Sequence, residues 1–438
     1  MTEPHRPVPL DESQIEVAAS PRLKVTTFAS LRNRNYLWYW LGQITAFTGL
    51  HMGLVARGWL IWTMTGSELA IGVVSFAFGI PMLLFSVFGG AIADRMMKRN
   101  LLIATQAFQA VIALSVATLI ATDRIEFWHL VTAAVCGGFL FVFHGPARQA
   151  IIPELVDKEH LLNAVALNSS GMNLTRVVGP AVAGALLSII GIAGVYYLVA
   201  TCYAAAVAAL CMVSSSGTTE KTSTLREAGH KVGTDVLPQS ILADLAEGFR
   251  YMRQSPLILS LLAMALIPLT FGLPYMMLLP VFADEVLHVG ELGFGILMAM
   301  GGVGALAASL GIASLGDFRR KGTLLILLAL AFGLTLTLFG LSHSFVLSLA
   351  ILAVVGACGS GYMAINNTLL QSNVPINLLG RVMSVYMLTF ALMPMGALPV
   401  GALAEAIGAP IAVGAGGILI VVFTVAMVVL LPSLRRLE

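Results

Sequence analysis

The chain has 438 residues, 58% of them hydrophobic and 11% charged, with a mean hydropathy of +0.91 and a formal charge of +2. Soluble domains carry roughly 25% charged residues, so an ordinary water-facing globule is excluded. So small a net charge gives no reason to expect a nucleic-acid partner. The apolar residues fall in runs of about 20, long enough to cross a hydrocarbon core of about 30 Å as helices. They lack the period-two alternation of a membrane barrel, and only helices and closed barrels satisfy every backbone polar group in lipid. The composition therefore defines an all-α integral membrane protein.

In chain order, residues 1–35 form a tail with Pro4, Pro7, Pro9, Asp11 and Glu12, expected to be disordered before a short basic helix around Arg32 and Arg34. It lacks the apolar core and cleavage site of a signal peptide. Six spans are expected near 36–63, 69–92, 101–121, 127–147, 164–190 and 194–214, and six more near 257–283, 292–315, 322–341, 345–368, 382–406 and 409–431. Between the two sets, 215–255 reads as a polar linker with one amphipathic helix at 241–253. Cys136, Cys202, Cys211 and Cys358 all lie inside apolar runs and read as small buried hydrophobes. No metal-ligand cluster, nucleophile–base pair or phosphate-cradling Gly-x-x-x-x-Gly-Lys-Ser/Thr loop appears, so neither a cofactor nor an enzymatic activity is expected.

Lysine and arginine placement sets the orientation. With a cytoplasmic N-terminus, all of them fall on the inner side except Arg124, in an outer loop, and Arg57 and Arg176, within spans. Both termini are then cytoplasmic, and a multi-pass protein of the inner membrane is expected.

The sharpest charge cluster is Phe88-Gly-Gly-Ala-Ile-Ala-Asp-Arg-Met-Met-Lys-Arg-Asn100, a tight turn between spans 2 and 3. A weaker copy, Gly311-Ile-Ala-Ser-Leu-Gly-Asp-Phe-Arg-Arg-Lys-Gly322, recurs in the second half, with Asp317 matching Asp94. The turn after span 4 repeats likewise at 374–381. Parallel repeats are a transporter architecture with the substrate site between halves. The expected fold is twelve transmembrane helices in two pseudo-symmetric six-helix bundles, 36–214 and 256–432, joined by 215–255 and followed by a short tail, 433–438.

The pattern Gly90-x-x-x-Asp94-Arg95-x-x-Lys98-Arg99 resembles the loop 2–3 signature of the major facilitator superfamily, except that Met97 stands where that signature has Gly. Residues 171–184, with Gly171, Arg176, Gly179, Pro180 and Gly184, resemble the span 5 motif of its exporters. The segments Trp59-Leu-Ile-Trp-Thr-Met-Thr-Gly-Ser67 and Gly145-Pro-Ala-Arg-Gln-Ala-Ile-Ile-Pro-Glu-Leu-Val156 are similar to the branch of enterobactin-type siderophore exporters and macrolide efflux proteins. Relatives there often carry Gly-Asp in span 1, where this chain has Gly49 and Leu50. The resemblance implies export of a siderophore, macrolide or other amphipathic compound by alternating access, with protons as the exchanged ion and a single chain as the working unit. A lipid or lysolipid translocator, or a receptor that keeps the fold without transporting, is the alternative.

Several residues are candidates for mechanism. A carboxylate such as Asp94 can cap the positive N-terminus of another helix. By resemblance its target is the start of span 11, near Gly380 and Arg381, with Asp317 doing the same near Asn163 and Ala164. Gly90, Asp94, Arg95, Lys98, Arg99, Asp317, Arg319, Arg320 and Arg381 then form a paired cytoplasmic gate, or else a solvated turn that fixes topology. Gly171, Gly179, Pro180 and Gly184 suit either a bend that seals against a neighbour or tight packing. Arg57 either snorkels to the outer headgroups or faces a cavity, and Arg176 points to a cavity or a carbonyl partner. The polar and aromatic residues inside spans that suggest a cavity are Gln43, Thr45, Trp59, Gln106, Gln109, Asn168, Asn173, Tyr275, Asn366, Asn367, Tyr386 and Met387. His51 and His144 are the candidate proton sites.

Overall fold

The computed structural model describes residues 28–214, 250, 253, 255–314, 318 and 320–431. At 87–95, 158 and 313, and at several positions between 376 and 391, only the backbone is described. Residues 1–27 of the expected N-terminal tail, the C-terminal tail 433–438 and most of the expected linker 215–255, with its helix at 241–253 except positions 250 and 253, lie outside these residues; the short basic helix expected around Arg32 is a 3-10 turn at Ala29–Arg32.

Every described element is helical: α1 (Arg34–Thr65), α2 (Glu68–Arg95), α3 (Lys98–Ala121), α4 (Phe127–Leu155), α5 (Lys158–Cys211), α6 (Pro256–Ile267), α7 (Tyr275–Val281), α8 (Gly290–Ser314), α9 (Lys321–Gly340), α10 (Phe345–Asn373), α11 (Ile376–Ile407) and α12 (Ala409–Leu430). Local chemistry fixes several ends. Asn33 caps α1 by accepting from the amides of Asn35 and Tyr36, and Gly66 closes it in a left-handed conformation (φ 58°). Glu126 and His129 form a reciprocal cap at the start of α4.

Ten stretches are long and apolar enough to cross a membrane among the described residues, with a shorter apolar helix at Leu392–Ile407. Side chains such as Leu162, Ile189, Val346 and Leu430 are exposed on the outside of the molecule, an apolar surface that only lipid would cover. This is a multi-pass membrane protein.

The break expected between 164–190 and 194–214 falls at Gly191 (φ 68°, ψ 179°), where the two helical limbs of α5 meet without a loop. Glycine tolerates that backbone, which a Cβ would disfavour. The expected helix boundaries need two corrections. Residues 257–283 are not one uniform helix. Two π-helical turns, Pro268–Gly272 and Phe282–Val286, interrupt it around α6 and α7. Pro268, Pro274 and Pro280 lack the amide hydrogens a regular ladder needs there. Finally, Arg148 stands within α4, which runs on to Leu155, and not in the turn that follows it.

Small residues set the helix packing. Gly42, Gly49 and Gly53 of α1 face Ala206, Cys202 and Val199 on the second limb of α5. Gly138 of α4 sits directly on the Phe78 carbonyl of α2, and Gly304 and Gly356 bring α8 and α10 together. Without a hydrophobic drive between helices in lipid, such close approach is what holds them.

Candidate substrate cavity and helix-end contacts

The bundle has a basic end, with Lys98, Arg99 and Arg320, and an opposite end, with Glu68, Asp284 and Glu405. At the basic end Lys98 pairs with Glu154 at 3.3 Å, tying the start of α3 to the end of α4. Arg99 donates through Nε to Leu210 O (3.1 Å) and through Nη2 to Cys211 O (2.9 Å), capping the last turn of α5. The segment before α1 adds a clasp: Ser30 Oγ donates to Asn163 Oδ1 (2.8 Å) and His160 O (3.0 Å), and Asn33 Nδ2 to Leu155 O (2.8 Å). Gly90, Asp94 and Arg95 lie on the last two turns of α2 and Arg381 on α11, but their side chains lie outside the described residues, as do Asp317 and Arg319. Arg320 is exposed at the start of α9.

At the opposite end the two halves of the chain touch. Trp62 Nε1 on α1 donates to Asp284 Oδ2 (2.8 Å), in the π-turn after α7. Glu405 Oε2 on α11 accepts from Ser67 Oγ (2.8 Å) and from the Leu69 amide (3.1 Å), which the first turn of α2 would otherwise leave unsatisfied. Small residues bring helices of the two halves together, α2 with α11 and α5 with α8. A Cβ on Gly72 would lie 2.8 Å from Ala397 O of α11, and one on Gly184 would lie 2.6 Å from Gly295 Cα of α8.

The exporter-type residues of α5 serve this packing. Gly171 faces Ile44 and Trp40, Gly179 faces His51 and Thr48 of α1, and the Pro180 carbonyl lies against Gly295. The backbone keeps helical angles through Pro180. Arg176 is exposed, its carbonyl lies against Gly302 of α8, and its charge reaches His51 and Tyr275.

Between these ends lies a cavity of about 440 Å³, a size typical of small-molecule sites. Its walls come from α1 (Leu50, Leu54, Arg57), α2 (Ser75, Phe78, Met82), α3 (Gln109, Ile112, Val116), α4 (Leu130, Phe141) and the second limb of α5 (Tyr196, Tyr203). Met277, Met393 and Pro394 from the second half of the chain complete it. Leu50, Gln109, Phe141 and Tyr203 also line a neighbouring space of about 40 Å³, together with Thr105, Gln106 and His144. The approach of α4 to α2 at Gly138 carries Phe78 into the wall, and the Arg57 guanidinium carbon stands 5.8 Å from that ring's centroid.

Of the residues expected in a cavity, this one brings together Arg57 and Gln109, with Gln106 and His144 on the small space beside it. Arg57 faces the cavity. The others whose side chains are described lie elsewhere. Gln43 is buried with neither amide atom hydrogen-bonded. Trp59 stacks on Phe294 at 6.1 Å. Asn168 contacts Met172 Sδ at 3.8 Å, and Asn366 donates to Leu261 O at 3.0 Å. Asn367 accepts from Gln371 at 3.2 Å, Asn173 is half-buried, and Tyr275 and Tyr386 are buried. His51 Nδ1 lies 2.8 Å from its own helix's Phe47 O, whereas His144 Nδ1 lies 3.5 Å from Thr105 Oγ1. Sequence reasoning missed Phe78, Tyr196, Tyr203 and Met277. Nothing in a span of apolar and aromatic residues marks which face turns to a cavity. It also missed the bridging roles of Asp284 and Glu405, whose only signal is their place at span ends.

Residues 25–438 match the profile of a family described as transmembrane secretion effectors. The chain belongs to this efflux family of the major facilitator superfamily; it is a transporter and not an enzyme. It is 28% identical over 376 residues to the staphyloferrin A transporter of Staphylococcus aureus, covering 85% of this chain and 90% of that one. It is 25% identical to the multidrug efflux pump Tap of Mycolicibacterium fortuitum (90% and 95% covered) and 23% identical to macrolide efflux protein A of Streptococcus pyogenes (84% and 87%). Its fold matches the nucleoside transporter NupG (TM-score 0.68, 14% identity, 92% and 100% covered). It also matches a bacterial homologue of the iron transporter ferroportin in an inward-facing state (TM-score 0.67, 16% identity, 91% and 98% covered).

Proposed function

We propose that the protein is a secondary active exporter that moves an amphipathic compound out across the inner membrane by alternating access. The observation that carries this reading is the cavity of about 440 Å³, apolar with a few polar groups, with contacts between the halves at the end that holds Asp284 and Glu405. The two limbs of α5 serve as separate crossings and α6 with α7 as one, giving twelve spans in two six-helix halves, 36–214 and 256–432. With the basic end and both termini cytoplasmic, the contacts of Asp284 and Glu405 close the outer side, and the arrangement is inward-facing. Rocking of the halves breaks these contacts, while Asp94, Asp317 and their basic neighbours close the cytoplasmic side. Siderophores, macrolides and other drug-like compounds are the first cargoes to examine, given the names of the relatives. A single chain suffices, because the residues that wall the cavity all come from it.

Protons serve as the exchanged ion in this reading. His144, on the wall of the small space next to the cavity, is better placed to carry them than His51, which is bound to its own helix. The test is efflux from proteoliposomes under an imposed pH gradient, screened against catecholate siderophores, macrolides and dyes. Gradient-driven flux is expected for at least one of them. Flux that ignores the gradient for every compound removes proton antiport, and absence of flux for all removes the exporter reading.

A further inference from the structure

Among the described residues, Arg57 is the one charged side chain on the cavity wall, and none that lines the cavity or its small neighbour is acidic. Among the described residues it has neither a carboxylate partner nor a hydrogen bond; its contact is the face of Phe78, with the Tyr196 and Tyr203 phenols nearby. Arg57 is half-buried on an otherwise apolar wall, and a charge-assisted hydrogen bond to an anion satisfies its donors better than a cation–π contact does. A ligand that enters the cavity is the natural source of that negative charge.

A second, independent observation lies in the small neighbouring space, which shares Leu50, Gln109, Phe141 and Tyr203 with the cavity. Gln106 is 1% exposed, and neither its Nε2 nor its Oε1 has a hydrogen-bond partner, although the side chain borders the small space beside Gln109 and His144. Buried amides are almost always paired, so this space asks for a polar group that both accepts and donates. The cavity wall itself includes Leu54, Met82, Ile112, Val116, Met277 and Met393.

We propose that the cavity binds an amphipathic organic anion. Its carboxylate or other oxyanion engages Arg57, its apolar body fills the middle, and a second oxygen-bearing group reaches Gln106. This rests on the reading of the cavity as the transport site and narrows it: organic cations, including amine-bearing drugs, bring a like charge to Arg57 and are disfavoured. A soluble organic acid and the headgroup of an acidic lipid share this chemistry.

The test uses two xanthene dyes of similar shape and opposite charge, fluorescein and rhodamine 6G, with the full-length protein in nanodiscs of neutral phosphatidylcholine. Binding is read by fluorescence anisotropy. Fluorescein is expected to bind at least about tenfold more tightly than rhodamine 6G, as a charge-assisted contact implies. Arg57→Gln is expected to remove that preference, Arg57→Lys to keep most of it, and Gln106→Leu to weaken fluorescein a few-fold. Equal binding of both dyes to the unmodified protein overturns the proposal without any variant having to fold. So does undiminished fluorescein binding by a folded Arg57→Gln protein. Competition by added phosphatidylglycerol supports the proposal with a lipid anion as ligand, and undisturbed fluorescein binding supports it with a soluble one. Arg57-dependent binding without flux in proteoliposomes sinks the exporter reading and leaves this site standing. Flux of fluorescein that is indifferent to Arg57 sinks the anion site and leaves the exporter.

Discussion

Glu405 does two things with one oxygen: it satisfies the free Leu69 amide at the start of α2 and it holds Ser67, both across the seam between the halves of the chain. Glu405 is exposed, so water screens these contacts and they are worth roughly 0.2–1 kcal/mol. Glu405→Ala is therefore expected to shift the population open at that end by about two- to fivefold. Spin labels placed on the outer ends of α2 and α11 report this as a longer mean distance, and an unchanged distribution would sink the bridging role. Asp94 belongs to the other end. Asp94→Asn is expected to insert and fold normally, because it leaves every basic topology signal in place, yet to lose transport. Wild-type flux from the well-expressed variant counts against its gating role.

At the scale of single elements, packing is decided by where Cβ atoms are missing. Gly138 lets α4 lie on the Phe78 carbonyl and so places the ring that receives Arg57. Overpacking a tight contact costs about 1–3 kcal/mol, so Gly138→Val is expected to lower the thermal midpoint in detergent and also to weaken ligand binding. A midpoint drop with intact binding would show that the helix crossing does not shape the cavity. The run of apolar residues made most helix positions readable from the sequence, since the hydrocarbon thickness dictates their length. What it hid were the places where one residue acts alone. Gly191 turns a chain without a loop, and three prolines around α6 and α7 swap α-turns for π-turns, and hydropathy is blind to both. Arg57 and Gln109 were legible because polar groups within apolar spans stand out. Tyr196, Tyr203 and Phe78 were not, because aromatic residues are as much at home against lipid as against a ligand.

At the scale of the whole molecule, the seam between α5 and α8 is lined by glycine on both sides. Gly295 lies against the Pro180 carbonyl and Gly184, with no room for a side chain. Gly295→Leu is expected to hold the halves apart at that end while leaving each half folded. Cysteine pairs across the seam would then crosslink several-fold less efficiently, and an unchanged yield would mean that the seam has slack. The described contacts at the basic end are of another kind: long side chains of α3 reach helix-terminal carbonyls of α5 and a carboxylate of α4, all within the first half. They hold that half together as a unit while the seam opens and closes.

The roof of the cavity has a further consequence. Met277 and Met393 arrive from the second half of the chain, while the guanidinium stays on the first. Thioether side chains yield to whatever body lies beneath them, so outline is judged loosely and sign of charge strictly. A pump made this way tolerates variety in the carbon skeleton of what it expels. Its repertoire would change more through exchange of one cation than through remodelling of its walls.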